Sequence, residues 1–216
     1  MQNRITFFDV EVNPKTEKIT DIGAVNSNGG IFHALSFIDF KSFISSSDYL
    51  CGHNAIKHDA KYLKAVVNGF SIIDTLYLSP LFFPQKPYHS LLKDEKLQTE
   101  ERNNPVNDSK KCKDLFFEQI TAFDLLADDL KDIYYHLLCN TPEYTAFFSY
   151  LNYQPKNNNV SQLITHYFNN RICINAVIQP LIDDFPIELA LSLSLINTKE
   201  SFCANYGHLK SRSIGN

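Results

Sequence analysis

The chain has 216 residues, of which 44% are hydrophobic, 20% charged and 13% aromatic, with a formal net charge of −4. This is the composition of an ordinary globular protein with one sizeable core, or one domain plus an appendage. No uninterrupted apolar run approaches the ~18–20 residues that a membrane span needs, so no membrane partner is expected. The acidic balance does not suggest a polyanion binder. It does not exclude one either, because acids gathered into a single metal site can leave a neutral or basic groove beside it. The cysteines (Cys51, Cys112, Cys139, Cys173 and Cys203) are odd in number, scattered and never in a CxxC spacing. They read as reduced thiols rather than a disulfide or zinc framework. The opening MQNRITFFDVEV has no basic-then-apolar leader, and the expected location is cytoplasmic.

Taken in chain order, Arg4–Val10 is apolar, aromatic and β-branched, and predicts a buried strand. A turn at Asn13-Pro14-Lys15 leads to a second strand over Lys18–Val25. Asn28-Gly29-Gly30 is a hairpin turn, and Ile31–Ser36 the third strand. Phe37–Ile44 reads as a short helix and Tyr49–Gly52 as a brief strand. Tyr62, Leu63 and Val66 have helical spacing within His58–Val67. Phe70–Ile73 is another strand and Leu76–Phe82 another helix. Antiparallel strands followed by helices alternating with short strands predict an α/β domain with a mixed sheet.

Pro84, Pro87 and the polar stretch from Lys93 to Asn107 form a long loop, of a length usually tied to function. From Asp108 onward Cys112, Leu115, Phe116, Ile120, Phe123 and Leu126 recur at three- and four-residue steps, the mark of an amphipathic helix. Further helical pieces, punctuated by Pro142, Pro155 and Asn157-Asn158-Asn159, run to Leu195. No periodic pattern follows Thr198. Ile172–Asp184 and Ile187–Leu195 are apolar enough to offer a docking surface.

Asp9 and Glu11 flank Val10 in the first strand, so their side chains share a face. Adjacent carboxylates repel unless a cation lies between them, or unless the strand has ended and both are solvated. In Gly52-His53-Asn54-Ala55-Ile56-Lys57-His58-Asp59 a strand ends, a helix begins, and Asp59 falls in its first turn. A helix dipole favours an acid there whether or not it has a further role. Lys57, Lys61 and Lys64 either meet phosphates or form a solvated helix face.

FFDVE, KITDIGAV and GHNAIKHDAKYL, in this order and spacing, resemble the DEDD superfamily of 3′–5′ exonucleases. That family has Asp-x-Glu on a strand, then Ile-x-x-Ile-Gly-Ala-Val, then Gly-His-Asn followed by a helical Asp. The resemblance implies an RNase-H-like fold with two divalent ions, Mg²⁺ or Mn²⁺, held by four acids. It implies a nucleic-acid substrate with a 3′ end, with single-stranded DNA preferred and RNA open; on such a substrate Phe7, Phe8 and Tyr88 are candidates to stack on a base, with one of Phe7 and Phe8, which flank the pleat, expected in the core. The third motif, His-x-x-x-x-Asp, has two placements. His89–Asp94 has the literal spacing, whereas Asp108 opens the amphipathic helix with Asn103 and Asn104 upstream. Asp108 is the preferred fourth acid, with His89 carried in by the long loop as general base, and Asp94 remains the alternative.

By the same resemblance Asp9, Glu11 and Asp108 are the ligands of one ion, Asp9 bridges, and Asp59 fixes the second through water. The Thr-Thr-Gly that usually follows Asp-x-Glu is replaced by Val12-Asn13-Pro14, which leaves open a binding module that has lost activity. YHSLLKDEKLQ, NNPVNDS and IQPLIDDFPIELALSLSLINT are also similar to the exonuclease-type domain ahead of the motor in some bacterial RecQ-type DNA helicases. That implies a helicase motor as partner, in cis or in trans. The sequence itself holds no Gly-x-x-x-x-Gly-Lys-[Ser/Thr] loop. The expected organisation is an exonuclease-like domain over 1–135 and a helical extension over 136–216.

Overall fold

The computed structural model describes residues 3–91, 104–173 and 175–198. Strands β1 (Ile5–Asn13), β2 (Lys18–Asn26) and β3 (Ile31–His33) are antiparallel neighbours. Helix α1 (Phe37–Ile44) leads to β4 (Tyr49–Gly52), which pairs parallel with β1. Helix α2 (Asp59–Val67) leads to β5 (Ser71–Asp74), parallel with β4, which completes a mixed sheet of order β3-β2-β1-β4-β5. Helices α3 (Thr75–Phe82) and α4 (Pro105–Asp124) follow. The helical C-terminal region contains α5 (Asp128–Leu138), α6 (Thr145–Leu151), α7 (Val160–Tyr167), α8 (Gln179–Asp184) and α9 (Pro186–Asn197). The expected α/β class, a mixed sheet flanked by helices with a helical C-terminal region, is what the chain forms.

Strand β1 is apolar on both faces because both faces are covered. Ile5 and Phe7 face one layer, where Phe7 and Phe116 of α4 pack with ring centroids 5.7 Å apart. Phe8 and Val10 face the other, where Phe8 meets Phe40 of α1 at 6.2 Å. Phe7 and Phe8 are therefore both fully buried, which removes them as base-stacking candidates; Tyr88 stays exposed. The odd-numbered face that carries Phe7 also carries Asp9 and Glu11, so the acids emerge on the α4 side of the sheet.

Several boundaries differ from expectation for local reasons. Strand β1 continues to Asn13, with an irregularity between Glu11 and Val12, so Asp9 and Glu11 are half-buried within a strand rather than solvated beyond its end. Ser36 is the N-cap of α1 instead of the end of β3, its hydroxyl accepting from the Asp39 amide at 3.3 Å. Helix α4 starts at Pro105, not Asp108. Asn104 caps it by accepting from the Val106 amide at 3.0 Å, and proline at the first position gives up an N–H that would have had no partner there.

The described part of the helical region packs against α3 and shares one hydrophobic cluster with it, with α4 and with Ile5 and Phe7 of β1. Ser194 of α9 donates to the Leu81 carbonyl at 2.6 Å, and the Tyr144 hydroxyl donates to the Tyr77 carbonyl at 3.0 Å. Leu189, Ala190 and Leu193 are buried, while Val177, Leu181 and Phe185 are exposed, so the apolar surface read from the sequence is partly consumed by the fold. Cys51, Cys112, Cys139 and Cys173 are free thiols. Among the described residues no helix is long and apolar enough to cross a membrane.

Candidate metal centre

Asp9 lies opposite Gly23 and Glu11 opposite Asp21 in the β1–β2 ladder. Gly23 sets the next step. A Cβ on it would fall 2.2 Å from the Val106 nitrogen and 2.3 Å from the Pro105 carbonyl carbon. Only a residue without a side chain lets the first turn of α4 rest directly on β2. Ser109, fully buried, fastens the contact by hydrogen bonds to the Gly23 carbonyl at 3.0 Å and the Pro105 carbonyl at 2.7 Å.

Asp108, one residue earlier in the same turn, thereby arrives beside β1. Asp9, Glu11 and Asp108 each present a carboxylate oxygen such that all three lie within 4.8 Å of one another. Lys111, one turn along α4, approaches Asp108 at 3.8 Å and offsets part of the negative charge.

Asp59 stands outside this group of three but within reach of its field. It is the first residue of α2, buried, and accepts from or shares a proton with His58 Nδ1 at 2.8 Å. Its Oδ2 is buried with no hydrogen-bond partner. Burial, followed by the charges of Asp74 and Glu11, holds its pKa well above the ordinary 3.8. A group whose carboxyl is harder to ionise in the folded chain than in the unfolded one opposes folding above the ordinary carboxylate range. That penalty is absent below about the ordinary value, where the carboxyl is protonated in both states, and grows as pH rises.

Asp59→Asn is accordingly expected to raise the melting temperature in EDTA at neutral pH, by the equivalent of roughly 1–3 kcal/mol. The gain should shrink as pH is lowered. Thermal melts of both proteins from acid to neutral pH check this; a pH-independent difference would rule out the carboxyl's ionisation equilibrium as its cause.

Asp74 escaped the sequence analysis. It is fully buried at the end of β5 and accepts from the amides of Asn54 at 2.8 Å, Ile56 at 3.0 Å and Leu76 at 3.0 Å. Burial raises its pKa, and those N–H bonds pull it back. It clamps the loop that presents Asp59, in which Asn54 takes a left-handed conformation with φ of 66°. The signal was an Asp immediately before a helix, an N-cap signature; reading that helix from Leu76 hid it.

His89 is not a member of the group of three carboxylates whose oxygens lie within 4.8 Å of one another. It is half-buried near the end of the loop after α3, with Nδ1 buried and unpartnered. Burial and then the charge of Lys86 lower its pKa. Asp94, the alternative fourth acid, lies outside the described residues. Lys57, Lys61 and Lys64 are all exposed; Lys57 lies over the Tyr77 ring at 5.3 Å and Lys61 over Tyr62 at 4.9 Å.

The donor set fits a hard divalent ion. Three carboxylates converge without a thiolate or imidazole among them, the preference of Mg²⁺ or Mn²⁺ rather than zinc. The unpartnered Asp59 Oδ2 is an oxygen ready for a further cation contact.

No protein-family model matches the chain, and no curated protein matches it. Among solved structures it is similar to the family B DNA polymerase from the hyperthermophilic archaeon Pyrobaculum calidifontis, at 14% identity and a TM-score of 0.36. The match covers 68% of this chain and 27% of that one, so the chain spans about a quarter of the polymerase's length.

Proposed function

We propose that the chain is a metal-dependent 3′–5′ exonuclease of the DEDD kind, which hydrolyses terminal phosphodiester bonds of DNA or RNA to nucleoside monophosphates. The observation that carries this reading is the convergence of Asp9 and Glu11 with Asp108, nearly a hundred residues away in sequence. Such like-charged groups are costly to gather without a cation to hold them.

Asp9, Glu11 and Asp108 would hold one divalent ion, and Asp59, through water, a second. Bound ions would lower the pKa of a nucleophilic water and stabilise charge on the leaving 3′-oxygen. The protein's own part is positional. The β1–β2 ladder fixes Asp9 and Glu11, Gly23 admits Asp108, and Asp74 sets the loop ahead of Asp59. Because His89 buries Nδ1, its Nε2 is the nitrogen left to take a proton from the attacking water. Tyr88, exposed beside it, is the remaining candidate for stacking on the terminal base.

The resemblance to the domain ahead of RecQ-type motors supports a role beside a helicase, with segment 136–216 as the link. A second reading, a binding module without activity, draws support from Val12-Asn13-Pro14 in place of Thr-Thr-Gly and from Lys111 beside Asp108.

Incubating 5′-labelled single-stranded DNA and its RNA equivalent with Mg²⁺ or Mn²⁺, against EDTA, separates the two. The expected result is a ladder that shortens from the 3′ end only with metal. Intact substrate under every condition, with a retained shift on a native gel, would establish the binding module instead.

A further inference from the structure

We infer that Thr75 is a positioning residue for the proposed metal centre: its hydroxyl ties the end of β4, where the loop to Asp59 departs, to the helix that carries Asp108. This rests on the exonuclease reading above, in which both acids serve the bound ions.

Thr75 follows Asp74 as the first residue of α3 and is fully buried. A hydroxyl has one hydrogen and two lone pairs, and here all three are used. The Gly52 carbonyl, 3.3 Å away, can only accept, so the hydrogen goes there. His53 Nδ1, at 2.9 Å, therefore donates to the hydroxyl oxygen. The Cys112 thiol, at 3.7 Å, is the second and weaker donor. Cys51 Sγ lies 3.9 Å from Cys112 Sγ and continues the chain of donors in the same direction. Cys51, Thr75 and Cys112 are all shielded from water, where such bonds are costly to leave unmade.

One hydroxyl thus joins the end of β4 and the start of α3 to α4. Asp108 lies one turn before Cys112 on α4, and Asp59 stands at the far end of the loop that leaves Gly52. Asp74, the neighbour of Thr75, accepts from the Asn54 and Ile56 amides within that loop. Asp59 and Asp108 are therefore both set by the dipeptide Asp74-Thr75. The Gly23 contact seats α4 on β2, and the Thr75 hydroxyl seats it against β4.

The hydroxyl can be removed without disturbing the backbone beside it. The Thr75 carbonyl accepts from Gln119 Nε2 at 2.9 Å, a bond that any side chain at this position keeps. Valine has the shape of threonine but leaves the Gly52 carbonyl, the His53 N–H and the Cys112 thiol without that partner. Serine keeps the hydroxyl and loses only the methyl group.

The test compares Thr75→Val and Thr75→Ser with the parent protein, with Ser194→Ala as the control for lost stability. Ser194 is another buried hydroxyl, bonded to the Leu81 carbonyl toward the other end of α3. First, amide hydrogen exchange in EDTA reads the junction without metal or activity. Thr75→Val should speed exchange at Asn54 and Ile56 and along α4 from Asp108 to Cys112. Thr75→Ser and Ser194→Ala should leave both segments as they are in the parent protein.

Second, Mn²⁺ affinity is measured by titration calorimetry below the melting range. Groups that orient metal ligands from behind typically alter affinity by roughly 10–100-fold, so the expected loss in Thr75→Val is about tenfold or more, with most of the affinity kept in Thr75→Ser. Equal exchange in Thr75→Val and Ser194→Ala would overturn the proposal, since general loss of stability would then account for Thr75. So would Mn²⁺ binding in Thr75→Val as tight as in the parent protein, or a serine variant that behaves as the valine one does. If Thr75→Val fails to fold, Thr75→Ala against Thr75→Ser carries the comparison, because those two differ only in the hydroxyl. A parent protein that binds no Mn²⁺ would defeat the exonuclease reading, while the exchange result would still decide the junction.

Discussion

Asp9→Asn should abolish metal-dependent hydrolysis while leaving the fold intact. Three carboxylates whose oxygens lie within 4.8 Å of one another repel strongly. At that spacing a pair of unit charges interacts by roughly 3–4 kcal/mol at an effective dielectric of about 20. Lys111 offsets part of this at 3.8 Å from Asp108, and a divalent ion would offset the rest. Removing the Asp9 charge relieves its repulsion with both neighbouring carboxylates, so the variant should still fold in EDTA. The same change takes a ligand from the proposed centre. Lost transition-state stabilisation of several kcal/mol corresponds to a fall in turnover on the order of a thousandfold. The stabilisation that Mn²⁺ confers in a thermal melt should fall with it. Activity that survives in Asp9→Asn would remove the metal-site assignment, because no other described cluster offers a comparable set of acids.

Gly23→Ala should damage stability and the acid cluster together. The added methyl would sit 2.2 Å from the Val106 nitrogen and 2.3 Å from the Pro105 carbonyl carbon, both backbone atoms at the start of α4. Backbone cannot swing aside as a flexible side chain can, so the helix end must lift from β2. Overpacking of this kind costs about 1–3 kcal/mol or more, and for a chain of this size each kcal/mol lowers Tm by roughly 2–4 °C. Asp108 moves with the helix, and the Ser109 bond to the Gly23 carbonyl stretches.

Metal affinity should therefore weaken in the folded fraction of Gly23→Ala, which titration calorimetry below the melting range would measure. Gly69→Ala is the matched control. Gly69 has φ of 92° with open space around its missing Cβ, so alanine there is strained by about 1 kcal/mol. It touches no acid of the cluster. Equal loss of metal binding in both variants would show that general destabilisation, not displacement of α4, is responsible.

These expectations separate what was legible in the chain from what was not. The periodicity of β1 and its Asp-Val-Glu placed two carboxylates on one face, because side chains on a strand alternate whatever the partner. Apolar spacing in α4 and the position of Asp59 at the start of α2 were equally local, and their helices form close to the expected limits. The mixed α/β class followed from the order of such segments.

Other features were beyond local reading. Phe7 and Phe8 are both core because the sheet is covered on two faces, and one strand cannot reveal how many layers pack on it. Asp74 is a clamp because a loop from another strand folds over it. His89 has the right spacing to Asp94 in sequence, yet its place in space depends on the path of the chain after α3, which no spacing fixes.

By itself the sequence determined the strand and helix periods, the shared face of Asp9 and Glu11, and the helical setting of Asp59 and Asp108. Tertiary structure alone decided that Asp108 joins Asp9 and Glu11. That meeting depends on one close approach, α4 against Gly23, and close approach is set by the volume that neighbouring elements leave free rather than by any local pattern.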